Sequence, residues 1–169
     1  MTTLENLNTA SAEEFVDAIG FAFEHSPWVA WGAAARRPFA DFDTLLAALV
    51  AVVADASPQE QIALISAHPD LAGRVAREGR LTASSRSEQA AAGLEALSAD
   101  EIARFEAANA AYRARFGFPF VICAREHDKA SILAALEQRG RNERATEIAT
   151  ALDEIAKIAR LRLAGALSS

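Results

Sequence analysis

The sequence predicts an all-α fold: a single compact multi-helix domain over residues 1–169, with one extended apolar segment near Phe118–Ala124. Three observations predict it. A Ser-x-x-Glu spelling recurs at Ser11–Glu14, Ser57–Glu60, Ser85–Glu88 and Ser98–Glu101. This is the grammar of the capping box, in which each side chain satisfies an orphan donor at a helix start. Behind each box the apolar residues keep a helical period. Strand-like alternation is nearly absent.

In chain order, the first helix follows Ser11 and carries Phe15, Ile19 and Phe23. A second carries Leu45, Leu46, Leu49, Val52 and Val53. The third follows Ser57, with Pro58 at the first helical position, where its missing N–H costs nothing. It runs through Gln61, Ile62, Ile65 and Ala67 and ends in "HPDLAG". The Ser85 box opens a fourth. The Ser98 box opens a fifth, with Ile102, Phe105, Ala108, Tyr112 and Phe116 on one face. Ile148, Leu152, Ile155 and Ala159 mark the last and longest. Gly79, Gly117 and Gly140 stand where helices should stop. "FGFPFVICA", Phe116 to Ala124, breaks the pattern. Pro119 forbids a regular helix there and pushes Phe118 toward extended geometry. Its backbone groups need partners outside a helix. They belong either to a buried connector or to a rim offering N–H groups to a polar ligand.

Composition bounds the function. A chain of 169 residues, 51% hydrophobic with 8 Gly and 5 Pro, suits one ordered domain. A formal net charge of −6 and a pI near 5.1 argue against a nucleic-acid partner. One cysteine, Cys123, rules out an intrachain disulfide. "MTTLENLNTASAEE" lacks the basic and apolar regions of a signal peptide. Leu45–Ala54 is too short to span a bilayer, and "ALSS" is not a peroxisomal address. The expectation is a soluble cytoplasmic protein without a membrane partner.

His68 stands where the third helix must end. A cation there is favoured by the negative end of the helix dipole. The same ring can serve as a general acid or base near neutral pH. Position alone leaves both readings open. His25 in "EHSPW" and His127 in "REHDK" read as turn and surface residues.

The ordered set "AHPDLAG", "SSRSEQAAAGLEAL", "FEAANAAYRARFGFPFVICAR" and "EIAKIARLRL" resembles the 2-oxo-4-hydroxy-4-carboxy-5-ureidoimidazoline (OHCU) decarboxylase family. The resemblance runs from about residue 10 to residue 167. It implies an all-helical lyase of urate breakdown that converts OHCU to (S)-allantoin with no metal or organic cofactor, as a homodimer. It further implies that His68, Glu88 and Arg162 are catalytic. Substrate would be bound by Pro69, by Ser85, Arg86, Ser87, Glu88 and Gln89, and by the backbone of Phe120, Val121, Ile122, Cys123 and Ala124. Arg160 competes with Arg162 for the role of substrate arginine; Arg162 is preferred because it directly precedes Leu163 in the motif's "RL" ending.

Each residue also has a plainer reading. Glu88 reads as one more cap. Arg162 reads as a solvated cation near a helix end, and Cys123 as a small buried hydrophobe. A metal hydrolase built on "HPD" fits poorly, since the chain has 3 widely spaced histidines. A helical interaction module without chemistry remains the alternative function.

Overall fold

Helix boundaries follow the capping residues. The structure, a computed structural model, describes residues 2–73 and 78–168. It is all-α apart from a two-residue parallel pairing of β1 (Thr2–Thr3) with β2 (Leu167–Ser168). The chain forms two compact units. One comprises residues up to Ala67 and from Ala156 onward; the other runs from His68 to Ile155.

The first unit holds α1 (Leu4–Thr9), α2 (Ala12–Ile19), α3 (Trp28–Ala34), α4 (Phe42–Asp55), α5 (Pro58–Ser66) and the last turns of α9 (Arg144–Ala166). Ser11 and Ser57 cap α2 and α5 through the expected reciprocal bonds. Thr3–Asn6 and Asp41–Thr44 form two further boxes, at α1 and α4. Phe15, Ile19, Val29, Ala33, Leu45, Leu49 and Leu64 fill the core. α3 lies so close to α4 that a Cβ on Gly32 would sit 2.7 Å from Val52 Cγ1. The first predicted helix is shorter than its apolar pattern: α2 stops at Ile19, a 3₁₀ turn covers Gly20–Ala22, and Phe23 is buried outside the helix.

The second unit holds α6 (Ala83–Ala91), α7 (Ala99–Phe116), α8 (Lys129–Arg139) and the first part of α9. Ser98 caps α7 as expected, and Asp128–Ser131 forms a box at α8. The Ser85–Glu88 box is a misassignment. The N-cap of α6 is Thr82, whose side chain accepts the Ser85 N–H at 3.2 Å. Ser85 is therefore already helical, and Glu88 lies a turn beyond the cap.

Gly117 ends α7 in left-handed geometry, φ +81°. Gly140 ends α8 in ordinary right-handed geometry. Gly79 has φ +71°, but the helix expected to stop there falls on residues 74–77, outside the described residues. The apolar segment is irregular from Phe118 through Cys123, one residue short of the expectation, because Ala124 opens a 3₁₀ turn. Phe116, Phe118 and Phe120 surround the buried Tyr112 at ring distances of 4.5, 6.1 and 5.5 Å. α9 is the longest helix described, at 23 residues. Its buried positions are Glu147, Ala151, Glu154, Ile155, Ile158, Ala159, Arg162 and Leu163, whereas Ile148 and Leu152 are half-buried. No single helix among the described residues is long and apolar enough to cross a membrane.

Candidate functional site

His68 follows the C-cap of α5 directly and is buried. The chain then turns sharply through Asp70–Gly73, closed by a Gly73 N–H bond to the Asp70 carbonyl at 3.3 Å. The third residue of such a turn needs positive φ when the turn is of type II. Here that residue is Ala72, at φ +54°. A non-glycine residue held in that region carries local strain, and such strain persists where the surroundings over-determine the backbone. Three side chains do so. Arg113 Nε donates to both Asp70 carboxylate oxygens at 3.0 and 3.2 Å. Asn109 Nδ2 donates to the Leu71 carbonyl at 3.0 Å. Gln89 Oε1 accepts the Ala72 N–H at 3.0 Å.

α6 supplies the second part of the same unit. Ser85 and Gln89 are buried, Glu88 is half-buried, and Arg86 and Ser87 are exposed. The acceptor end of Gln89 is thus spent on the His68 loop. Its Nε2 is buried and has no hydrogen-bond partner among the described residues. A buried amide N–H without a partner is costly and therefore informative. Gln89, Arg86 and Ala72 line a cavity of about 290 Å³ with Leu81, Leu94 and Ile102.

The backbone of the Phe120–Ala124 segment is partly satisfied from within. Arg139 Nη1 donates to the Val121 carbonyl at 2.8 Å, and the Cys123 N–H donates to Glu154 Oε2 at 2.8 Å. Arg139 also lies 4.4 Å over the Phe120 ring. Behind the segment sits a buried polar cluster. Tyr112 Oη donates to Glu147 Oε1 at 2.5 Å, Arg139 Nε to the same oxygen at 2.9 Å, and Asn142 Nδ2 to Glu147 Oε2 at 3.0 Å. Burial first, and the Glu147 carboxylate second, push the Tyr112 phenol well above its ordinary range. The connector reading of this segment therefore holds at Val121 and Cys123.

In the first unit, Arg162 is buried rather than solvated. Its Nη1 donates to Glu24 Oε2 at 2.9 Å and to the Phe21 carbonyl at 3.2 Å. Arg160 is exposed, paired with Asp43 at 2.9 Å and placed over the Phe42 ring. His25 and His127 occupy exposed and half-buried turn positions.

Glu24, Glu147, Glu154 and Asn109 were not singled out in the sequence. For Glu147 and Glu154 a signal existed: both fall within the apolar stripe of α9, where an unpaired charge would be costly. Glu24 and Asn109 carry no local signal, because their partners lie 138 and 38 residues away.

The model of the OHCU decarboxylase family matches residues 8–164. A 2-oxo-4-hydroxy-4-carboxy-5-ureidoimidazoline decarboxylase of Haloferax volcanii is 44% identical over 167 residues, covering 99% of this chain and 97% of its own. One from Amia calva is 44% identical over 160 residues, covering 95% and 91%. Among solved structures, an (S)-allantoin synthase superposes with a TM-score of 0.77 at 29% identity, over 98% of this chain and 54% of that one. With a match running from α1 into the last turns of α9, the chain belongs to the OHCU decarboxylase family.

Proposed function

We propose that this protein decarboxylates OHCU to (S)-allantoin in urate degradation, without a cofactor, and that residues 1–169 act as one functional domain. The observation that carries the reading is the Gln89–Ala72 bond. It ties the helix bearing Glu88 to the loop that begins at His68. The family match supports the substrate.

The chemistry asks little of a metal, because the electron sink lies in the substrate. The ring carbon bearing carboxylate and hydroxyl sits beside a C=N bond. When its bond to the carboxylate breaks, that electron pair forms a C=C bond with the neighbouring ring carbon. The C=N pair moves onto nitrogen, which takes a proton. The hydroxyl then loses its proton as a carbonyl forms, and the neighbouring carbon takes a proton on one face. One proton is consumed overall, and carbon dioxide leaves.

His68 acts as the acid–base group near neutral pH. Glu88 accepts the hydroxyl proton or orients His68. Gln89 donates from Nε2. The planar fork of Arg162 suits the carboxylate or the ureido oxygen. Pro69, Ser85, Arg86 and Ser87 complete the binding surface. The Phe120–Ala124 backbone binds polar ring atoms, and a ligand at the Cys123 N–H must share it with Glu154 or displace it. The same proposal makes the enzyme a cytoplasmic homodimer acting apart from nucleic acid and membranes. The net charge of −6 supports the exclusion of nucleic acid.

The test mixes the protein with freshly generated OHCU and follows carbon dioxide release and the optical activity of the allantoin. Rapid formation of one enantiomer is expected, undiminished by exhaustive chelation. His68→Ala should lower the rate by about two to four orders of magnitude. Racemic allantoin at the uncatalysed rate would overturn the reading.

A further inference from the structure

Arg162 can aim a planar fork only if something fixes the plane. We infer that Glu24 is the positioning residue for Arg162: it clamps the guanidinium through Nη1. The inference rests on the proposal that Arg162 holds substrate.

The clamp is built within one unit. Glu24 is 3% exposed and Arg162 6%. Nη1 carries two N–H bonds, and both are committed: one to Glu24 Oε2 at 2.9 Å, the other to the Phe21 carbonyl at 3.2 Å. Two acceptors on one nitrogen, supplied by a carboxylate and a backbone carbonyl three residues apart, define the guanidinium plane.

The turn that presents Glu24 is itself constrained. The Ser26 N–H bonds to the Phe23 carbonyl at 3.2 Å, and the buried Ser26 hydroxyl bonds to the Glu24 carbonyl at 2.9 Å. Between them His25 is held at φ +46°, although its side chain is exposed and gains nothing from burial. Strain of this kind marks a segment whose geometry serves its neighbours. Directly after this turn, Pro27 opens α3. The plain alternative is a structural ion pair, and buried pairs are often replaceable without loss of fold. Stability alone cannot separate the two, so the test reads kinetics.

Glu24→Gln keeps the size and an acceptor oxygen but removes the charge. Glu24→Asp keeps the charge and retracts it by one methylene, which covers the case in which Glu24→Gln does not fold. In the folded variants kcat/KM for OHCU should fall by about ten- to a hundredfold, the effect expected when a binding group is slightly misaimed. KM should carry the larger share. Asp43→Asn, which breaks the exposed pair of Arg160 in the same unit, should leave both constants unchanged. A lowered Tm with wild-type kcat and KM in the folded Glu24 variants would make the pair merely structural and overturn the inference. Arg162→Lys separates this from the underlying reading, because an ammonium cannot present the fork. If Arg162→Lys turns over normally while Arg160→Lys is dead, the substrate role belongs to Arg160 and both ideas fall. If Arg162→Lys is impaired and the Glu24 variants are normal, only the Glu24 inference falls.

Discussion

Converting Glu88 to glutamine preserves its shape and removes its capacity to accept a proton. A capping glutamate tolerates that change, since glutamine also reaches back to the N-cap N–H. Because Thr82 caps α6, Glu88 is not the capping residue, and the substitution does not alter the cap. Glu88→Gln should lower turnover by about two to four orders of magnitude and leave stability within about 0.5 kcal/mol of wild type. Glu60→Gln and Glu101→Gln, which alter two real boxes, should leave turnover unchanged. Wild-type turnover in Glu88→Gln would move proton acceptance to His68. At this scale the family motif singled out His68, Glu88, Gln89 and Arg162, and His68, Gln89 and Arg162 are buried. It could not expose Glu24 or Asn109, whose significance depends on contacts that exist only once the chain has folded. Nor could it show that Gln89 spends its acceptor on the Ala72 N–H.

Helix starts were legible wherever a single cap candidate stood alone. Ser11, Ser57 and Ser98 behave as spelled. At α6 two candidates overlap, Thr82-x-x-Ser85 and Ser85-x-x-Glu88, and only the point at which the backbone leaves extended geometry decides between them. The boxes at Thr3, Asp41 and Asp128 escaped a pattern that required glutamate, because Asn6, Thr44 and Ser131 return the bond instead. The glutamate boxes carry a pH signature. The Ser11 and Ser57 N–H groups, with their hydroxyls second, hold the Glu14 and Glu60 carboxyls below the ordinary range. Lys129 does so first for Glu101, with the Ser98 N–H second. A folded-state pKa below the unfolded one means the unfolded chain binds more protons. The stability these groups contribute is thus present above the unfolded value of about 4.3 and is lost as pH falls through the lower folded one. Glu14 and Glu60 are exposed and Glu101 is half-buried beside Lys129, so each contribution is small. NMR titration should place their midpoints below that of a model glutamate. Ser57→Ala should cost about 1 kcal/mol and return the Glu60 midpoint only part of the way, because the Ser57 N–H that leads the shift is kept. A full return to the ordinary value would show that the backbone N–H does not hold the carboxylate.

The whole molecule depends on α9. It is continuous from Arg144 to Ala166, yet its residues through Ile155 belong to one unit and those from Ala156 to the other. At 1.5 Å per residue its 23 residues make it about 34 Å long. Composition and periodicity announced this helix, but a period cannot say that one helix serves two cores. It places Glu147, Glu154 and Arg162 within the apolar stripe, but the partners that let these charges be buried exist only in the folded chain. Helix formation is cooperative, since propagation is favourable once a turn exists. A shared helix therefore couples the folding of the two units, and wild-type protein should unfold in one calorimetric transition with equal calorimetric and van't Hoff enthalpies. Lys157→Pro tests the coupling at an exposed position just past the boundary. Proline there removes one helical hydrogen bond and clashes with the preceding turn, at a cost of about 3 kcal/mol or more, while leaving each core's side chains in place. The variant should unfold at lower temperature, in two resolved transitions or with a van't Hoff enthalpy well below the calorimetric one. Two transitions already present in wild type would show that α9 joins the units without coupling them, and a single unbroadened transition in Lys157→Pro would place the coupling elsewhere.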